Sequence, residues 1–180
     1  KFPFGRSFIR ALGAIKYSAA SANHDLGLMT AKKSNAIKAA AKMVMVGDVD
    51  DHFPLDVFQT GSGTSTNMNA NEVIANLATE KLGQDVNAND DVNMSQSSND
   101  TIPTAICMSA LFDMDEFLFP GLYLLIEEVE KKAKNLQGQI KTGRTHMMDA
   151  MPLDFHQELM GWSAQLKSCK TSLTTATKRM

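Results

Sequence analysis

From Ile102 to about Gln137 the chain places Ile106, Leu111, Phe117, Leu122, Leu125, Ile126 and Val129 at helical spacing, with few turn residues to divide the run. A stretch this long constrains the fold more than any other part of the chain. An amphipathic helix of that length must bury its apolar stripe against other helices, so the run asks for a bundle. Pro120-Gly121 inside it should kink it or break it into two helices. Directly ahead stands Asn93-Met94-Ser95-Gln96-Ser97-Ser98-Asn99-Asp100-Thr101-Ile102-Pro103-Thr104. Pro103 suits a first helical turn, which puts the cap at Asn99, Asp100 or Thr101. Hydroxyls and amides then sit where free N–H groups and the positive end of the helix dipole meet, a place that suits an anion. A plain Ser/Asn capping loop would use the same residues.

The rest of the chain reads as further helices separated by polar loops. Phe8, Leu12, Ile15 and Ala19 give a helix from Ser7, its expected cap, to about Asn23. Thr30 should cap a second helix through Val46, with Ile37, Ala40, Met43 and Val44 buried and Gly47 as its stop. A third is expected from about Asn67 to Leu82, ending at Gly83. Its Asn67, Asn69, Asn71 and Asn76 are unusual in a helix interior, and such amides are either bonded into a packed interface or aimed at a site. After Pro152 a last helix runs to Met180. No strand alternation of useful length is visible, so the expected class is all-α.

Three loops carry the candidate chemistry. Thr60-Gly61-Ser62-Gly63-Thr64-Ser65-Thr66 joins glycines, which let backbone N–H groups approach a ligand, to hydroxyl donors. No Lys-Ser/Thr follows at the spacing of a nucleotide-binding loop. The second is the Ser-rich stretch already described. The third is Thr142-Gly143-Arg144-Thr145-His146, where a histidine between polar neighbours is a candidate acid/base, although a lone histidine is usually structural. Asp48, Asp50, Asp51 and His52 fit neither a calcium loop nor a zinc pattern and read as a solvated acidic turn.

Composition excludes several partners. The formal net charge is −2 and no block of Lys or Arg stands out, which argues against nucleic acid and anionic membrane. No apolar run reaches transmembrane length and no signal-peptide pattern opens the chain. Cys107 and Cys169 read as reduced core residues of a reducing compartment. Starting at Lys1 and stopping at Met180 without a helix stop signal, the 180 residues read as an internal piece of a longer polypeptide.

Taken together the loops resemble the fumarase/aspartase superfamily, and within it class II fumarate hydratase. The matching segments are Thr60-Gly61-Ser62-Gly63-Thr64 with Asn67-Met68-Asn69 and Asn71-Glu72-Val73, then Asn89-Asp90-Asp91-Val92-Asn93, then Ser95-Gln96-Ser97-Ser98-Asn99-Asp100. Gly143-Arg144-Thr145-His146 with Asp149-Ala150 and Pro152-Leu153 completes them, and the resemblance runs from about Phe8 to Met180. It implies an all-α fold with the remainder of an N-terminal helical domain over residues 1–100 and the first part of a central helical bundle over 101–180.

The resemblance also implies roles. Ser62, Gly63, Thr64, Ser97, Ser98 and Asn99 would contact substrate carboxylates, Thr145 would bind substrate, and His146 would orient or activate the reacting water. Asn87, Ala88, Asn89 and Asp90 match a secondary dicarboxylate site, but Asn87 stands where fumarases usually have His and Ala88 where they have Pro. A third signature, the mobile loop whose serine takes the C3 proton, is missing from these residues. The family assembles each site from three subunits of a homotetramer, so this chain alone would be inactive. The implied reaction is the reversible hydration of fumarate to L-malate. It passes through a carbanion whose charge spreads into the neighbouring carboxylate, and pre-aimed hydroxyls, amides and helix N-termini stabilise such charge. No metal or organic cofactor is implied, and the expected compartment is the cytoplasm, or the mitochondrial matrix in a eukaryote. Aspartate ammonia-lyase is the nearest alternative; aspartases usually carry Gln at His146 and Thr at Ser98. A non-catalytic oligomerising fragment is the alternative of another class.

Overall fold

The computed structural model describes residues 2–59 and 63–180. They divide into two compact units, Lys1–Phe112 and Asp113–Met180. The first unit is built on helices α1 (Arg6–Asp25), α2 (Ala31–Val46) and α3 (Thr64–Leu82), followed by α4 (Ser98–Asp113). Its core is formed by residues such as Leu12, Ile37, Val44, Ala70 and Ile74, all shielded from solvent. Thr30 caps α2 by accepting from Lys33 N, and Gly47 and Gly83 end α2 and α3 in the left-handed conformation, as their positions in the sequence require. Helix α1 begins one residue before Ser7, with Gly5 as its cap, so Ser7 lies within the first turn.

The periodicity of α1 holds with one change of content. The buried residues Phe8, Leu12, Lys16 and Ala20 follow one another at four-residue spacing, while Ile15 and Ala19 are half-buried. A lysine therefore occupies the apolar stripe. Helix α4 also starts earlier than the Pro103 argument gives. The Ser97 carbonyl accepts from Asp100 N and Thr101 N, and the Ser97 hydroxyl accepts from Asn99 N at 3.2 Å. Ser97 is thus the cap in place of Asn99, Asp100 or Thr101. Pro103 lies inside the helix and removes the donor that the Asn99 carbonyl would meet four residues on.

In the second unit a five-residue π segment, Met114–Leu118, precedes α5 (Phe119–Asn135), and Pro120 lies in the first turn of α5. The long run thus stays helical and departs from regular α geometry one turn ahead of Pro120-Gly121, in place of breaking there. Pro120 cannot donate to the carbonyl four residues back and its ring crowds that carbonyl, so regular α geometry gives way there. Helix α6 (Phe155–Thr177) packs along α5. Asp154 caps it with a reciprocal Gln157 partner, and Ser163 donates to Glu130 at 2.7 Å. The hydrogen bonds from Lys167 and Ser163 hold the Glu130 carboxyl below its ordinary range.

Between α5 and α6 lies an antiparallel ribbon of β1 (Ile140–Thr145) and β2 (Met148–Asp154), which corrects the expectation of a chain without strands. Both faces of the ribbon are largely exposed, so it carries no apolar/polar alternation to read. A second correction concerns the cysteines: both are free, but Cys107 on α4 is half-buried and Cys169 on α6 is exposed, so neither is a core residue of its unit. Among the described residues no helix is long and apolar enough to cross a membrane.

Candidate functional site

The helical starts of the first unit bring two of the three polar loops together. Gly63 caps α3 with φ +82°, a conformation that disfavours side chains. A Cβ added there would lie 2.8 Å from Ile102 Cγ1, so the absence of a side chain lets the start of α3 lie against the second turn of α4. One turn into α3, Asn67 Nδ2 donates to Ser98 Oγ at 3.0 Å and to Asn93 Oδ1 at 3.2 Å. Gly63, Thr64, Ser97, Ser98 and Asn99 therefore surround two neighbouring helix N-termini, where unpaired N–H groups and the positive dipole ends favour an anion. Thr64, Ser97 and Asn99 are exposed and Ser98 is half-buried. Ser62 lies outside the described residues. Gln59 Nε2 donates to Thr66 Oγ1 at 2.7 Å.

The amides of α3 resolve into separate jobs, with Asn67 and Asn71 buried, Asn69 half-buried and Asn76 exposed. Asn67 is bonded to the Ser98 side, and Asn69 Nδ2 donates to the His52 carbonyl. Asn71 Nδ2 meets Met68 Sδ at 3.4 Å, and Asn76 bonds back to the Glu72 carbonyl. Asn67 Oδ1, Asn71 Oδ1 and Thr101 Oγ1 are buried acceptors that find no donor among the described residues. Unsatisfied polar atoms of this kind are uncommon in folded proteins, and Asn67 Oδ1 and Thr101 Oγ1 lie in the first turns of the two helices.

Beneath the Ser-rich loop lies a residue that sequence reasoning missed. Lys16 is fully buried, and its Nζ donates to Asn93 Oδ1 at 3.0 Å and Gln96 Oε1 at 2.9 Å. Burial lowers its pKa from 10.5 to about 7. The one signal available was its place on the apolar stripe of α1, four residues beyond Leu12. Gln96 in turn donates to the Val92 and Met94 carbonyls, and Asn93 to the Gln96 carbonyl. This network holds the turn in which Ser95 adopts φ +62°.

In the second unit the expected polar loop is a strand and a tight turn. Thr145 pairs with Met148, leaving His146 and Met147 as a two-residue connection with φ +50° and +59°. Both signs match the tight hairpin turn that asparagine and glycine usually make. A methionine in that region is strained, and such strain is concentrated at functional positions. Thr145 and His146 are exposed, with the Arg144–Asp149 ion pair at 3.4 Å on the paired strands behind them. Gly143 sits where the register shifts, and a Cβ there would come 2.5 Å from the Met151 carbonyl oxygen.

The third group, Asn87 to Asp90, forms the start of a π turn over Ala88–Val92. Asn87 Oδ1 accepts from Asn89 N and Asp90 N, and Ala88 is buried. Asp91 accepts from Asn87 N and from Lys33 Nζ, the latter at 2.7 and 2.8 Å. The acidic turn at Asp50–His52 is held by an Arg6–Asp50 ion pair, and no cluster able to hold a metal occurs among the described residues.

Residues 1–180 match the family described as Lyase. A class II fumarate hydratase of Halobacterium salinarum is 52% identical over 169 residues, 91% of this chain and 36% of that protein. One from Xylella fastidiosa is 50% identical over 184 residues, 99% of this chain and 39% of its own. Among solved structures, the class II fumarase of Schistosoma mansoni superposes with a TM-score of 0.92 at 39% identity, over 97% of this chain and 38% of that one. The chain therefore spans about two-fifths of the length of the curated relatives it matches.

Proposed function

Because the chain belongs to the lyase family that its whole length matches, we propose that the complete protein adds water reversibly to fumarate to give L-malate. The observation that carries this reading is the half-identity, over nearly all of the chain, with proteins named class II fumarate hydratase. Ser62, Gly63, Thr64, Ser97, Ser98 and Asn99 hold the substrate carboxylates, and Thr145 adds a further contact. The paired helix starts support this, since they collect N–H groups and the hydroxyls of Thr64, Ser97 and Ser98. His146 orients or activates the water, and its place at a strained, exposed hairpin tip supports that role. Asn87, Ala88, Asn89 and Asp90 form the secondary dicarboxylate site, altered here because the Asn87 side chain is engaged as a cap.

In this reading residues 1–100 are the remainder of an N-terminal domain and 101–180 the first part of a central bundle. The active unit is a homotetramer in the cytoplasm, or in the mitochondrial matrix of a eukaryote. Each site draws residues from three subunits, and the proton-abstracting serine comes from sequence beyond these 180 residues. The test follows fumarate absorbance with the complete protein, with and without a chelator. Turnover that survives the chelator is expected. No turnover of fumarate, together with ammonia released from aspartate, would transfer the assignment to aspartate ammonia-lyase.

A further inference from the structure

The Lys16 ammonium only donates hydrogen bonds, and its neutral amine still turns N–H groups toward Asn93 Oδ1 and Gln96 Oε1, because the nitrogens of those two amides are committed to backbone carbonyls. That property fixes the direction of a chain of amides. Asn93 must turn its oxygen toward Lys16 Nζ, 3.0 Å away, so its Nδ2 faces the Gln96 carbonyl and donates to it at 3.2 Å. Asn67, fully buried, then meets an acceptor at Asn93 Oδ1 and must present Nδ2 to it. The second proton on the same nitrogen points to Ser98 Oγ at 3.0 Å. Turning the Asn67 amide over would set oxygen against oxygen at Asn93. The Ser98 hydroxyl therefore receives a hydrogen bond from inside the protein, and its own proton is left to be donated outward.

We propose that Lys16 is a positioning residue: acting through Asn93 and Asn67, it makes the Ser98 hydroxyl a hydrogen-bond donor toward a substrate carboxylate. This rests on the reading of Ser98 as a carboxylate contact. A carboxylate only accepts, so a hydroxyl whose proton was spent on an inner acceptor would meet it oxygen to oxygen. Lys16 touches no substrate in this arrangement; it sets polarity from a buried position, and the lowered pKa that burial gives it is the energetic cost of keeping it there.

The test is a double-mutant cycle in the complete protein, reading KM and kcat for fumarate alongside the thermal midpoint. Ser98→Ala alone should raise KM. Lys16→Met keeps the stem and removes the donors, and should raise KM by about tenfold in the wild-type background. In the Ser98→Ala background it should change KM by no more than about twofold, because the hydroxyl it aims is gone. An equal rise in both backgrounds, or none in either, would overturn the inference while leaving the Ser98 contact standing. If Ser98→Ala leaves KM unchanged, the Ser98 contact itself fails and the inference falls with it. Asn67→Leu breaks the same chain one link further on and should reproduce the pattern even if Lys16→Met does not fold. Additive effects of Asn67→Leu and Ser98→Ala would count against the relay.

Discussion

His146 is held at φ +50° at the end of a ribbon, with Met147 beside it in the same region, and neither side chain is buried. Exposure of that kind suits a group that meets its substrate and exchanges protons. His146→Asn in the complete protein should lower kcat by about 100- to 10,000-fold, the range for losing a general acid or base, with little change in KM. A folded variant that turns over near the wild-type rate would make His146 structural. Lys16 gives a different prediction at the same scale. Its folded-state pKa is about 7 against an ordinary 10.5. Between those values the unfolded chain binds more protons than the folded one, so stability rises with pH from about 7 to 10.5 and this contribution is lost as pH falls through 7. The slope is at most about 1.4 kcal/mol per pH unit. Denaturant midpoints measured from pH 7 to 9 should show it in the wild type and lose it in Lys16→Met. An unchanged slope in the variant would show that Lys16 does not carry it. Lys16 could be suspected in the sequence only from its position on an apolar stripe. Its partners lie 77 and 80 residues away in the chain, and no local signal reports them.

The β1–β2 ribbon is the element that mounts His146, and Gly143 is its tightest point. A methyl group there would meet the Met151 carbonyl, a backbone atom that cannot turn aside. Gly143→Ala should therefore force the strands apart, at about 1–3 kcal/mol for an overpacked position. Its kcat should fall together with the thermal midpoint, whereas His146→Asn should move kcat alone. A Gly143→Ala protein with normal stability and turnover would mean the ribbon can shift without affecting the site. The ribbon was not legible as strands because Ile-Lys-Thr-Gly-Arg-Thr has no alternation, and a two-stranded ribbon wet on both faces needs none. Its turn was hidden too, since His-Met lacks the Asn-Gly signature. The helix stops were legible for the opposite reason: Gly47 and Gly83 act through their own backbone freedom, whatever packs around them.

Across the whole molecule, the long helices leave much apolar surface open. Phe117, Tyr123, Leu124 and Trp162 are each more than half exposed. A polypeptide of residues 1–180 expressed alone should associate in size-exclusion chromatography and show no hydratase activity, since surfaces of this kind seek partners. A monodisperse, active preparation would contradict both the bundle reading and the placement of the serine outside these residues. By itself the sequence determined the helical class, most helix positions and the loops that carry hydroxyls and amides, because caps, stops and a 3.6-residue period are written in neighbouring residues. Its ordered polar segments were specific enough to indicate the family. Tertiary structure alone decided that Asn67 serves Ser98 and that Lys16 is buried against Asn93 and Gln96. Each of these depends on which groups from distant parts of the chain satisfy a polar atom once water is removed, and that pairing has no period or spacing to read.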